Sequence, residues 1–451
     1  MGAQSAVNMR RPANPQQDCV EVLIQDIDAR GRGIARADGK KILVDGALAG
    51  ETVRIRRRKR HRRVDVADVV DVLRAAPERT APSCTHFSLC GGCRFQHLSG
   101  PAQRGRKNRA FSEALARHWL SPPERALPPI FDRPAGYRRK ARLGVRYVAG
   151  KGGALVGFRE KRVNFVADLK SCEVLVPAAG ERITALRDLV SGLGARGRIP
   201  QIEIAAGERD TALVFRHLGP LTASDRRMMV EFARRHAVQV YLQSAGPESV
   251  VPLWPETPPP LTYSLPEFDL ELAFQPTDFV QVNAGVNRKL VGQAVELLDV
   301  QSNDRVLDLF CGIGNFTLAL ARRGGGITGV EYSEDMVRAA KANAARNGIE
   351  NVDFRRLDLE DAGGAADCLS QSWDKLILDP PRSGAVAVTG ALGSPYPRRI
   401  VYVSCNPDTF ARDAAVLVQK HGYHFERAGI VDMFPHTGRV EVIGAFARGT
   451  E

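Results

Sequence analysis

The chain has 451 residues, 44% of them hydrophobic and 25% charged, which is the composition of globular domains; at ~150 residues per domain the length suggests about three. Lys and Arg number 64 against 51 Asp and Glu, a formal charge of +13, so a polyanion is favoured as partner, nucleic acid ahead of a membrane surface. No run approaches the ~18 apolar residues of a spanning helix, residues 1–17 lack the apolar core of a signal peptide, and Ala6 stands where myristoylation requires Ser or Thr. A cytoplasmic protein without a membrane partner is expected.

Residues 1–16, rich in Asn, Pro, Gln and Arg, read as a disordered tail. Residues 17–76 hold short β-branched runs broken by glycine: Val20 to Ile27, Gly33 to Ala37, Lys41 to Val44, Thr52 to Arg58 and Val64 to Leu73. Ala37-Asp38-Gly39-Lys40 is a hairpin turn, because Asp-Gly tolerates positive φ. Five strands in so short a span predict a small OB-like barrel. Arg54 to Arg63 holds eight basic residues in ten, and strand alternation would make one face an arginine comb suited to phosphates.

Residues 77–262 form a central α+β region. It opens with a cysteine loop, Cys84-x5-Cys90-x2-Cys93, then a helix around Gln103 to Trp119. Strand-like runs follow at Ala141 to Tyr147, Leu155 to Phe158, Gln201 to Ala205 and Thr211 to Arg216. Pro-rich Val251 to Pro260 reads as a linker. Eight cysteines without a secretion signal argue for metal or catalytic thiols rather than disulfides. Three thiols so close point to a metal, but spacing does not separate zinc from iron–sulfur. Cys19, Cys172 and Cys368 all remain candidates for a fourth ligand.

Residues 263–451 change rhythm. Strands are expected at Arg305 to Phe310, Ile327 to Glu331, Val352 to Arg355, Lys375 to Leu378 and Ile400 to Ser404, with a helix from Asn315 to Arg323. Another helix is capped by Ser333 and ended by Asn347-Gly348. Such alternation predicts a doubly wound, Rossmann-like parallel sheet with ligands at the carboxyl ends of its strands.

Every motif falls at such an end. Asp308-Leu309-Phe310-Cys311-Gly312-Ile313-Gly314-Asn315-Phe316-Thr317 is a glycine turn whose third fingerprint glycine is replaced by Thr317, which disfavours NAD. Glu331 ends the next strand, where a carboxylate accepts ribose hydroxyls, and Asp358 ends the third, facing an adenine amino group. Together these describe an S-adenosylmethionine site. Leu378-Asp379-Pro380-Pro381-Arg382 ends the fourth strand and Val403-Ser404-Cys405-Asn406-Pro407 the fifth. Cys405 therefore faces a methyl-donor site, which favours a nucleophile over an inert core thiol.

That combination suits a pyrimidine, whose carbon 5 takes a methyl group only after a thiolate has added to carbon 6. A base must then remove the carbon 5 proton, and Phe434 to Glu441 offers both His436 and Glu441. The residues alone do not choose between them.

In these motifs the chain resembles the RNA uracil-5-methyltransferase family over nearly its whole length, Cys19 to Glu441. The resemblance implies Cys405 as nucleophile and Glu441 as base. It implies Gln281, Phe310, Asn315, Glu331, Asp358 and Asp379 as donor-binding positions. It implies a TRAM domain for the barrel and a [4Fe–4S] cluster on Cys84, Cys90, Cys93 and Cys172, the last following Gly157-Phe158-Arg159. The implied substrate is a uridine of 23S ribosomal RNA near position 1939; the sequence requires nothing beyond a monomer. One departure is Arg439, where relatives often carry histidine. Two competitors are weighed. Methylation of cytosine or transfer RNA is disfavoured because Pro381 and Arg382 stand where cytosine enzymes place a second cysteine, and because both barrel and cysteine loop are present. A noncatalytic metal-binding RNA-binding protein is disfavoured by the intact Glu331, Asp379, Cys405 and Glu441.

Overall fold

The computed structural model describes residues 19–28 and 30–449; the expected disordered tail lies outside them. The chain divides into two compact units, 1–88 with 93–102, and 89–92 with 103–451. No described helix is long and apolar enough to cross a membrane.

In the first unit six strands form one curled sheet: β1 (Cys19–Leu23), β2 (Asp26–Ile27), β3 (Arg32–Ala37), β4 (Lys40–Asp45), β5 (Thr52–Lys59) and β6 (Val64–Arg74). Their order is β1-β5-β6-β4-β3-β2. The β3–β4 turn has Asp38 at φ 52° and Gly39 at φ 71°, as the Asp-Gly pair foretold. The expected strand from Val20 to Ile27 is two strands, because the chain bends at Ile24, whose N–H donates to the Glu51 carbonyl. Glu51 itself is fully buried; its carboxylate accepts from Leu48 N–H at 2.7 Å and from Arg79 Nη2 at 2.7 Å.

The arginine comb differs from expectation. Val53 and Ile55 are buried, while Arg54, Arg56 and Arg58 point outward. Carboxylates on other strands of the sheet meet two of that outward row. Arg54 pairs with Glu21 (3.4 Å), and Arg58 pairs with Asp45 (3.0 Å) and Asp68 (3.5 Å). Arg57 turns to Asp38 and Asp65.

The second unit contains α1 (Gly100–Arg117) from Gln103 onward, β7 (Arg125–Ala126) and a six-stranded sheet, with strands β8 (Lys140–Val148), β9 (Gly153–Gly157), β10 (Gln201–Ala206), β11 (Thr211–Arg216), β12 (Gln239–Gln243) and β13 (Val250–Trp254) in order β13-β12-β11-β10-β8-β9. Helices α2 (Pro177–Gly180), α3 (Ile183–Gly192) and α4 (Ala223–His236) lie along this stretch. The expected linker at Val251 to Pro260 is corrected: its first part is β13, paired to β12. An edge position explains this, since Pro252 needs no N–H on the open side.

A hairpin of β14 (Leu261–Leu265) and β15 (Leu270–Phe274) precedes α5 (Ala284–Leu298). The large sheet then forms from β16 (Arg305–Leu309), β17 (Gly326–Glu331), β18 (Val352–Arg356), β19 (Lys375–Leu378), β20 (Arg399–Ser404), β21 (His424–Val431) and β22 (Glu441–Ala447), joined by α6 (Thr317–Ala321), α7 (Glu334–Arg346), α8 (Ala362–Cys368), α9 (Val386–Ala391) and α10 (Pro407–Gln419). Its order is β18-β17-β16-β19-β20-β22-β21-β7. Strand alternation sorts its side chains into two cores: Val306, Ile377, Val401 and Ile443 on one face, Leu307, Leu376, Tyr402 and Val442 on the other. Burial of each such side chain stabilises by about 1.5–3 kcal/mol. The fully parallel sheet expected from the sequence is corrected to a mixed one, since β22 runs antiparallel to both β20 and β21. A hairpin-like return after the last helix lets the chain end inside the sheet without another crossover.

Candidate active site

The parallel strands β16, β17, β19 and β20 all end on one side of the sheet, where a cleft of about 1070 Å³ opens. Gln281, Phe310, Asn315, Glu331, Asp358, Asp379, Cys405 and Glu441 all line it. Register explains the meeting of the last three. Leu378 pairs with Tyr402 in the parallel ladder, so Asp379 and Cys405 leave neighbouring strand ends. Ser404 lies opposite Val442 on antiparallel β22, which puts Glu441, the first residue of β22, beside Cys405.

The glycine turn after β16 has Phe310 at φ 65°, Gly312 at 56° and Gly314 at 90°. The left-handed conformation costs a non-glycine residue about 1–2 kcal/mol, a cost borne at Phe310 on the cleft wall. Glu331 binds this turn and the next helix together, accepting from Gly312 N–H at 3.2 Å and Ser333 N–H at 2.9 Å. Ser333 caps α7 as expected. The helix expected from Asn315 begins at Thr317, leaving Asn315 in the turn. Its side-chain amide pairs reciprocally with buried Asn287 (2.9 and 3.0 Å) and accepts from Tyr263 Oη at 2.9 Å. Asp358 lies exposed, two residues beyond β18.

Gln281 sits on the loop before α5, and its amide donates to Asp379 at 3.3 Å. Two adjacent residues at the start of the central sheet pin that loop. Buried Arg139 donates from Nε to the Gln281 carbonyl at 2.7 Å and lies 4.3 Å over the Tyr263 ring. Lys140 donates to the Pro276 carbonyl at 2.9 Å and to that of Asp278. Sequence reading missed Arg139, Lys140, Asn287 and Tyr263, because their partners lie tens to over a hundred residues away.

Burial dominates the electrostatics. It pushes the Asp308 and Asp379 carboxyls up to about 7, and Glu441, also beside Asp379, up to about 8. Lys107, Arg439 and Arg382 work against the rise at Glu441. The Cys405 thiol is pushed up by burial and by Glu441 and Asp379, with Arg382 opposing. Glu441 lines the cleft, whereas His436 stands outside its lining and bonds Gln103.

Among the described residues no group of three or more His, Cys, Asp or Glu is placed to hold a metal ion. Cys84 and Cys93 belong to the first unit, Cys90 and Cys172 to the second. Cys90 Sγ accepts the Gly92 N–H at 3.4 Å.

The chain is similar to known proteins over most of its length. Residues 269–447 match the family model described as tRNA (Uracil-5-)-methyltransferase. A Nitrosospira multiformis protein named 23S rRNA (uracil(1939)-C(5))-methyltransferase RlmD is 46% identical, over 95% of this chain and 98% of its own. The protein of the same name from Alkalilimnicola ehrlichii is 47% identical, over 97% and 99%. The crystal structure of Pyrococcus abyssi tRNA (uracil-54, C5)-methyltransferase with S-adenosyl-L-homocysteine superposes with a TM-score of 0.71 at 23% identity, covering 95% of this chain and 100% of that one, a likeness of fold. With the glycine turn, the strand-end carboxylates and near full-length relatives in agreement, the chain belongs to the S-adenosylmethionine-dependent RNA uracil-5-methyltransferase family.

Proposed function

We propose that the protein methylates carbon 5 of a uridine in 23S ribosomal RNA, at the position its relatives' names number 1939. The observation that carries the chemistry is the convergence of Cys405, Asp379 and Glu441 on the same cleft as Glu331 and the glycine turn. S-adenosylmethionine supplies an electrophilic methyl group when bound. Glu331 holds its ribose hydroxyls and Asp358 its adenine amino group, with Gln281, Phe310, Asn315 and Asp379 completing the wall. Cys405 Sγ, as thiolate, adds to carbon 6, and the 5,6 π electrons move to carbon 5; carbon 5 takes the methyl group as the methyl–sulfur bond breaks, that electron pair leaving with S-adenosyl-L-homocysteine. Glu441 then accepts the carbon 5 proton; the C–H electrons restore the 5,6 double bond, and the C6–S electrons leave with Cys405. The target base leaves its stack to reach the thiol, at a cost of a few kcal/mol.

The first unit serves as an OB-like, TRAM-type grip on RNA. Cys84, Cys90, Cys93 and Cys172 are the candidates for the four thiolates a [4Fe–4S] cluster takes, and no step passes through it. Iron and sulfide analysis of anaerobically purified protein tests it, and metal-free protein of full activity would refute it.

Two variants test the covalent route. Cys405→Ala is expected to abolish methylation while RNA affinity stays near native. Glu441→Gln is expected to trap a denaturation-resistant protein–RNA complex. Turnover by Cys405→Ala would refute the nucleophile, and a clean, inactive Glu441→Gln would refute the base.

A further inference from the structure

Helix α1 buries Gln103, Lys107, Phe111, Ala114 and Leu115, a spacing of three and four that sets them on one face. The apolar members pack into the aromatic core, Phe111 edge-on to Phe410 at 5.7 Å. The two members nearer the amino end are polar, yet Gln103 is 3% and Lys107 1% exposed. Such groups are buried only where partners meet them.

Those partners lie in the segment leading from β21 to Glu441. Lys107 Nζ forms an ion pair with the buried Asp432 carboxylate and donates to the Phe434 carbonyl at 2.9 Å. Gln103 Oε1 accepts the His436 N–H at 2.8 Å, and its amide nitrogen meets His436 Nδ1 at 3.2 Å. His436 has φ 65°, a left-handed conformation that persists only where its surroundings enforce it. Tyr137 Oη donates to the intervening Pro435 carbonyl at 3.3 Å. Asp432, Phe434, Pro435 and His436 are thus each held by a side chain more than 290 positions earlier, and Lys107 lies within electrostatic reach of Glu441.

We infer that Gln103 and Lys107 form a clamp that sets the Phe434–Glu441 segment so that Glu441 meets the carbon 5 proton. They are positioning residues, and the inference rests on the proposed function. In that mechanism the clamp matters after thiol addition and methyl transfer, when the C5–H electrons form the double bond and Cys405 departs as thiolate. Loosening it slows release and leaves the earlier bonds forming.

The test is single-turnover reaction of the full-length protein with 23S RNA and methyl-labelled S-adenosylmethionine, following the denaturation-resistant labelled complex. Lys107→Met alone strands a buried carboxylate, so Lys107→Met/Asp432→Asn is measured beside the milder Gln103→Ala, with Glu441→Gln as reference. A misplacement of about 1 Å costs up to ~100-fold, so both clamp variants are expected to slow adduct decay by about 10- to 100-fold, with methyl transfer and the KM for S-adenosylmethionine within about twofold of native. General destabilisation lowers every step together and builds up no adduct. Decay at the native rate in folded clamp variants, while Glu441→Gln traps adduct, would overturn the clamp alone. Failure of Glu441→Gln to trap would overturn the base assignment and the clamp with it.

Discussion

In the proposed mechanism, release of the methylated base depends on Glu441 as proton acceptor, a carboxyl that burial keeps largely protonated at neutral pH. Glu441 is buried beside Asp379, and its carboxyl is pushed up to about 8 against an ordinary 4.5. Only the ionised carboxylate accepts the carbon 5 proton. For a group titrating near 8, about 1% is ionised at pH 6, about 10% at pH 7 and half at pH 8. The perturbation is therefore pH alone, applied after methylated adduct has formed, so that titration of Cys405 in the attack step does not enter. Adduct decay is expected to quicken about 50-fold between pH 6 and 8 and to level off about one unit above. Rapid quenching followed by denaturing electrophoresis of the labelled protein–RNA complex measures it. A decay rate flat from pH 6 to 8, or faster in acid, would refute the reasoning that burial tunes this carboxylate.

Glu331→Ala removes the carboxylate proposed to hold the donor ribose. A hydrogen bond to a charged group is worth ~1.5–3 kcal/mol, so S-adenosylmethionine affinity is expected to fall about 10- to 150-fold by calorimetry; native affinity would place the ribose elsewhere. In the first unit, Arg56→Gln is expected to flatten the salt dependence of RNA binding by ~0.7–0.9 in log–log slope, and Arg54→Gln or Arg58→Gln by less, because carboxylates already neutralise those two; equal slopes for all three would discount the pairing. Glu51→Ala strands the partners of a buried carboxylate and is expected to lower stability by about 3 kcal/mol in denaturant melts, the low end for buried pairs, since Arg79 keeps 22% exposure. Hydrogen bonds from Arg79, Leu48 and Ala76 hold the folded carboxyl below its ordinary value despite burial. That contribution is therefore complete above pH ~4.5 and lost as pH falls through the lower folded value. An acid-melting profile unchanged by the substitution would contradict it.

What the sequence disclosed was local. The motifs at Phe310 to Thr317, Asp379 and Cys405 were legible because a strand end followed by glycine or proline signals its own turn, and parallel topology gathers such ends. Long-range pairing hid the rest. The arginine run reads as a bare comb until Glu21, Asp45 and Asp68 arrive from other strands. Gln103 and Lys107 look like the wet side of a polar helix, since nothing nearby announces the loop at 432–436. Pro252 disguised an edge strand as a linker. The antiparallel return of β22, which brings Glu441 to Cys405, was invisible for the same reason, and so the choice between His436 and Glu441 stayed open on residues alone.

The proposed reaction modifies one nucleoside of one RNA. Its most direct test is nucleoside mass spectrometry after anaerobically purified protein has met methyl-labelled S-adenosylmethionine with unmodified 23S RNA or transfer RNA in separate reactions. Labelled 5-methyluridine in the 23S fraction alone is the predicted result. Label in transfer RNA or on cytosine would contradict the substrate while sparing the thiol chemistry, and no label in either would contradict the account as a whole.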